Sequence, residues 1–158
     1  MEKSNGKKIN TAVFISGRGS NLKSLINHSK KKNLPIIIRL VISNNLKAKG
    51  LIFAKQAKIK TYVTSFKNQN ISEKKLLNKL LNNNINLVCL AGFMKILSKK
   101  FIKQFNKPIL NIHPSLLPKY KGLNTHRRVI KNKETYSGAT VHIVSEILDS
   151  GKIILQKK

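Results

Sequence analysis

A chain of 158 residues, 41% of them apolar, is sized for one globular domain with one core, and it contains no apolar run of about eighteen residues that could span a membrane. Its formal net charge of +27 would suit a polyanion partner, but the excess is nearly all lysine, spread along the chain and accompanied by abundant Asn and Ile, as A+T-rich codons alone would produce; only nonspecific nucleic-acid binding is expected from it. The polar residues 1–10 lack the apolar centre of an export signal, and the single cysteine, Cys89, excludes an internal disulfide or a Cys-based zinc cage, so a cytoplasmic protein with a buried, inert thiol is expected.

Residues 12–16 form a continuous apolar run that ends at a Gly-rich turn, the pattern of a strand buried on both faces. Residues 21–31 read as a helix with Leu22, Leu25 and Ile26 on one side. Residues 36–42 read as a second strand, broken by Ser43, Asn44 and Asn45. Residues 48–57 read as helical and 61–64 as a short strand. Residues 73–81 predict a helix with Leu76, Leu77, Leu80 and Leu81 inward and lysines outward. Residues 87–91 form a further buried strand, 99–105 a helix, and 109–112 a strand that delivers His113 at its end. Strands over 140–144 and 153–156 close the chain. Strand and helix alternate at a spacing that predicts an α/β, Rossmann-like fold: a largely parallel sheet with helices on both faces. Residues 1–10 form a basic polar extension and residues 11–158 the domain. Ligands of such sheets gather at the C-terminal strand edges, and residues 17–21, 92–97 and 111–113 occupy three of them.

Each edge carries its own chemistry. Ser16-Gly17-Arg18-Gly19-Ser20-Asn21 joins a strand to a helix; glycine lets the backbone approach an anion, the helix start offers N–H groups, and Ser20 and Asn21 add side-chain donors. This suits a phosphate, or it is a tight turn with a serine cap. In Asn111-Ile112-His113-Pro114, strand alternation puts the amide and the imidazole on one side. Acyl transfer needs that pair: a donor for a developing oxyanion and a group that moves a proton. Asp149, the one aspartate in the chain, precedes Gly151 and either supports His113 or only starts a turn.

Residues 111–127, with residues 15–22, 90–97 and 138–156, resemble the signatures of the folate-dependent glycinamide ribonucleotide formyltransferases over almost the whole chain. The resemblance implies formyl transfer from 10-formyltetrahydrofolate to the amine of 5-phosphoribosylglycinamide, with no metal and no covalent enzyme intermediate, in a monomer or homodimer away from membranes. By it, Asn111, His113 and Asp149 match the catalytic trio and Gly19, Ser20 and Asn21 the phosphate loop. Met94, Lys95, Ile96 and Leu97, with Asn111 and with Ser145, Glu146, Ile147, Leu148 and Asp149, match the folate pocket. Three features depart from the pattern. Gln69 stands where an Arg is common, Lys95 stands where Arg is frequent, and the family continues past the position of Gln156 through elements that contribute to the nucleotide site. The last strand, 153–156, is therefore expected to be open to solvent. Three other readings share parts of this pattern: a methionyl-tRNA formyltransferase domain, a formyl-folate hydrolase, and a basic, noncatalytic remnant of the fold.

Overall fold

The computed structural model describes residues 8–31 and 34–158, so most of the polar extension expected over residues 1–10 lies outside the described residues. Two compact units divide the chain, Met1–Lys95 and Ile96–Lys158.

In the first unit β1 (Ile9–Ile15), β2 (Ile36–Ser43), β3 (Lys60–Val63) and β4 (Leu87–Leu90) pair in the order β3-β2-β1-β4, and every pairing is parallel. Between them run α1 (Ser20–Ser29), α2 (Leu51–Gln56) and α3 (Gln69–Asn82). One face of β1 and β2 packs Val13, Ile15, Ile38 and Val41 against Leu22 and Ile26 of α1 and Leu51 and Ala54 of α2. Ala12, Phe14, Leu40 and Ile42 are buried as well, so both faces of these strands are covered and their runs read as uninterrupted apolar sequence. Each fully buried aliphatic or aromatic side chain contributes about 1.5–3 kcal/mol of transfer free energy.

Two helices depart from their expected extents. α2 starts at Leu51, because residues 48–50 turn so that Gly50 meets Gly19: a Cβ built on Gly19 would stand 2.5 Å from the Gly50 Cα. α3 starts earlier than expected, since the Asn68 side chain accepts from the Ile71 N–H at 3.1 Å and caps the helix before its apolar pattern begins. Its inward face is Ser72, Glu73, Leu76 and Leu80; Leu81 points to solvent and Leu77 is half-buried, because the helix places only the 3.6-residue stripe inside. Cys89 is half-buried, and burial pushes its thiol up to about 11, as an inert thiol requires.

In the second unit β5 (Ile109–His113), β6 (Ala139–Ile143) and β7 (Ile153–Lys157) pair antiparallel in that order. The parallel pattern expected from the alternation of strand and helix therefore gives way to antiparallel pairing here. α4 (Lys99–Phe105) is capped by Ser98, whose hydroxyl accepts from the Phe101 N–H at 3.0 Å, and its Phe101 and Phe105 are buried. A helix absent from the sequence reading, α5 (Thr125–Lys131), follows the Pro-containing turn and buries only Thr125 and Val129. β7 is exposed along its whole length, as expected for the last strand. Among the described residues no helix is long and apolar enough to cross a membrane.

Candidate active site

Pairing of β5 with β6 sets Asn111 opposite His142 and His113 opposite Thr140. Antiparallel neighbours share a face, so this register brings a second imidazole to the Asn111 side chain. The Asn111 amide donates from Nδ2 to His142 Nε2 at 3.1 Å. His142 Nδ1 lies 3.0 Å from the Ile143 carbonyl, which can only accept, so Nδ1 carries a proton; Nε2 accepts from Asn111 in the neutral ring and, when protonated, donates toward Asp149 Oδ1 instead.

Asp149 closes the group. Its backbone is left-handed, φ 48°, a conformation that Asp tolerates better than most residues and that occurs at few non-glycine positions. From there the carboxylate reaches four groups. Oδ2 accepts from the Gly122 N–H at 2.8 Å and lies 3.4 Å from His113 Nδ1. Oδ1 lies 3.5 Å from both Asn111 Nδ2 and His142 Nε2. Burial opposes the charge, but the His142 hydrogen bond, the Gly122 N–H and the charges of His113 and His142 outweigh it and hold the carboxyl below its usual range.

His113 is engaged at both nitrogens. Nε2 lies 2.8 Å from the Tyr120 carbonyl and must donate to it. Nδ1 faces the carboxylate, so the imidazolium form is the one that places a proton on both contacts. His113 and Asp149 are buried and Asn111 is half-buried, which leaves the Asn111 side as the open one. Both amide hydrogens of Asn111 thus have partners, and the contact to Asp149, 3.5 Å and at the limit of a hydrogen bond, is the weaker of the two and the one an incoming acceptor would displace.

The turn after β5 is held from several directions. Thr140 Oγ1 donates to the Ser115 carbonyl at 2.7 Å and accepts from the Leu117 N–H at 3.1 Å. Gln156 Nε2 donates to the Leu117 carbonyl at 2.8 Å and to Thr140 Oγ1 at 2.9 Å.

The structure thus brings Asn111, His113 and Asp149 together. It also adds three features to which the sequence reading gave no role: His142, the Tyr120 carbonyl and the Gly122 N–H. For His142 the sequence offered only a histidine within a predicted strand, with nothing to place it opposite Asn111; the two backbone groups had no signal at all.

The other expected residues fall as follows. In the first unit Gly19, not a serine, stands at the N-cap of α1, at φ 76° and with no side-chain cap. Gly19 is buried, while Ser20 and Asn21 are exposed beside first-turn N–H groups that no helical carbonyl can reach. In residues 94–97, Met94, Lys95 and Ile96 are exposed and Leu97 is buried. The Met94 N–H donates to Ser16 Oγ at 2.7 Å. In residues 145–149, Ile147 and Leu148 are exposed, Ser145 Oγ donates to the Ile147 carbonyl at 3.0 Å, and Glu146 pairs with Lys103 at 3.2 Å.

The family profile described as formyl transferase matches residues 9–158. The chain is 46% identical over 155 residues to phosphoribosylglycinamide formyltransferase of Haemophilus influenzae, covering 96% of this chain and 72% of that one. It is 44% identical over 154 residues to the human trifunctional purine biosynthetic protein adenosine-3, of which it spans 15%. A crystal structure of phosphoribosylglycinamide formyltransferase from Anaplasma phagocytophilum superposes with TM-score 0.89 at 42% identity, over 95% of this chain and 71% of that one.

Proposed function

The chain belongs to the formyl transferase family, and we propose that it transfers the formyl group of 10-formyltetrahydrofolate to the amine of 5-phosphoribosylglycinamide, a step of purine biosynthesis, in the cytoplasm. The observation that carries this reading is the convergence of Asn111, His113 and Asp149 within 3.5 Å contacts in a member of that family. The activity is assigned to the domain from residue 11 onward.

The acceptor nitrogen attacks the formyl carbon, and the carbonyl oxygen becomes an oxyanion. Asn111 donates to that oxygen the amide hydrogen that otherwise makes the long contact with Asp149. The nitrogen must then lose a proton, and N10 of the folate must gain one as the N10–C bond breaks. Nε2 of His113 is committed to the Tyr120 carbonyl, so Nδ1 is the nitrogen that handles the proton, with Asp149 supporting its cationic form. Ser20, Asn21 and the first-turn N–H groups of α1 hold the phosphate. Gly19 makes their approach possible by packing on Gly50. On the second unit, Ile96 and residues 145–149 receive the folate.

An assay of formyl-folate consumption with three acceptors tests the reading: 5-phosphoribosylglycinamide, methionyl-tRNA and water alone. Turnover is expected with the ribonucleotide. Turnover only with the tRNA or only with water would replace it by a tRNA formyltransferase or by a hydrolase. Binding of RNA without turnover of any acceptor would replace it by a noncatalytic remnant.

A further inference from the structure

The backbone of residues 120–122 touches both His113 and Asp149. The Tyr120 carbonyl accepts from His113 at 2.8 Å, and the Gly122 N–H donates to Asp149 at 2.8 Å. Tyr120 holds a left-handed backbone, φ 58°, which an L residue with a large side chain adopts only when its surroundings impose it.

What imposes it here is a cluster on the far side of that segment. The Tyr120 hydroxyl donates to Glu134 Oε1 at 2.7 Å and accepts from Asn132 Nδ2 at 3.0 Å. Lys119 Nζ binds both Glu134 oxygens, at 3.0 and 3.1 Å. The Arg128 guanidinium lies over the Tyr120 ring, 5.3 Å from its centre, and donates to the Lys121 carbonyl at 2.6 Å. Ser115 Oγ donates to the Lys119 carbonyl at 2.7 Å. Glu134 therefore ties two consecutive residues, Lys119 and Tyr120, from outside the chemistry. The Tyr120 hydrogen bond, and after it that of Lys119, hold its carboxyl below the usual range, so it is an anion at neutral pH.

We infer that Glu134, acting through the Tyr120 hydroxyl, is a positioning residue for formyl transfer: it holds the 120–122 backbone in the conformation that fixes the His113 ring and caps Asp149. Glu134 touches no reacting atom. Its effect runs through the acceptor of the His113 Nε2 proton, and so through which imidazole nitrogen is left to handle protons. The inference rests on the formyl-transfer reading for its kinetic consequence and on geometry alone for its spectroscopic one.

The test uses Tyr120→Phe, Glu134→Val and Glu134→Gln in the full chain, with two readouts. Steady-state kinetics should show kcat reduced by roughly tenfold in Tyr120→Phe and in Glu134→Val, the size of one charge-assisted hydrogen bond, with KM for both substrates changed less than about twofold. The double variant Tyr120→Phe/Glu134→Val should be no slower than the worse single one, because both break the same contact. Glu134→Gln keeps an acceptor for the hydroxyl and should recover most of the loss. Nitrogen-15 imidazole NMR supplies the second readout: the His113 Nε2–H proton should exchange with water at least about tenfold faster in Tyr120→Phe and Glu134→Val than in the parent. Unchanged exchange, or losses that multiply in the double variant, would overturn the positioning role. Faster exchange in a chain that formylates no acceptor would leave that role standing and remove the proposed function instead.

Discussion

Replacing Asp149 by Asn puts the site's geometry to its sharpest test. The change keeps the shape and removes one charge and half the acceptor capacity. In the parent, Oδ2 serves Gly122 N–H and His113 Nδ1, and Oδ1 faces Asn111 and His142. An amide can present oxygen to only one of these edges. With oxygen toward Gly122 and His113, its NH2 meets the Asn111 NH2, donor against donor, and competes with it for His142 Nε2; with the amide reversed, NH2 meets the Gly122 N–H. Either way one edge is lost, and so is the anion that supports a cationic His113. Two charge-assisted contacts at about 1.5–3 kcal/mol each amount to about 3–6 kcal/mol. If all of it is expressed in the transition state, kcat falls by roughly two to four orders of magnitude. The assay is kcat for 5-phosphoribosylglycinamide at saturating formyl-folate, paired with melts across pH. Because the folded carboxyl is held below its usual range, its contribution to stability is fully present above about pH 5 and is lost as pH falls through the depressed value. Asp149→Asn lacks that titration, so the stability gap between parent and variant should shrink between about pH 5 and pH 3. A variant kcat within tenfold of the parent, or a gap that stays flat with pH, would refute the reasoning.

His113→Ala should lower kcat by roughly two to four orders of magnitude, and Asn111→Ala by about two to three, with far-UV circular dichroism unchanged in both. Ser20→Ala combined with Asn21→Ala should raise KM for the ribonucleotide by about fivefold or more and leave KM for the folate unchanged; a loss confined to the folate would remove the phosphate from this loop. Gly19→Ala should destabilise the fold by about 2–4 kcal/mol in denaturant unfolding, from the left-handed backbone and the 2.5 Å approach to Gly50 together, so a larger residue at Gly19 reports on folding before it reports on the nucleotide. Cys89, with its thiol at about 11, should react with a neutral alkylating reagent at pH 8 about a hundredfold more slowly than free cysteine, and comparable rates would contradict its burial.

The charge reads differently once the acids are placed. Of only five acidic residues, four lie among the described ones, and each has a partner. Glu73 accepts from Gln69, Glu134 holds Lys119 and Tyr120, Glu146 pairs with Lys103, and Asp149 serves the site. Replacing buried Asp149 would leave buried His113 without its acceptor at Nδ1, which costs more than an exposed charge is worth. Among the described residues the lysines follow no such rule, and many are exposed without an acidic partner. A drift toward lysine that spares partnered carboxylates would leave this same pattern.

How far the site was legible follows from the same distinction between side chains with a local signal and backbone groups without one. Asn111 and His113 were visible because strand alternation fixes which side chains share a face, and the apolar runs of β1, β2 and β4 were visible because strands covered on both sides carry little else. α5 was not, since it buries only Thr125 and Val129 in seven residues and so has almost no periodic stripe. The antiparallel pairing of β5 with β6 was not either: alternation of strand and helix argues for parallel order, and a switch of direction depends on partners distant in sequence. His142 went with it, since its role comes from the register opposite Asn111 and not from its neighbours in the chain. Least legible of all were the left-handed residues Tyr120 and Asp149. Their own side chains do not demand φ near 50–60°; the contacts with Glu134, Asn132 and Arg128, and those around His113, do. A backbone conformation imposed by tertiary contacts leaves no mark on local sequence, yet here it supplies the acceptor for one nitrogen of His113 and a donor to Asp149. The side chains proposed to touch the chemistry can therefore be read from the chain, whereas the groups that aim them become visible only in the fold, and substitutions at Tyr120 and Glu134 are the ones whose effects sequence alone would not foresee.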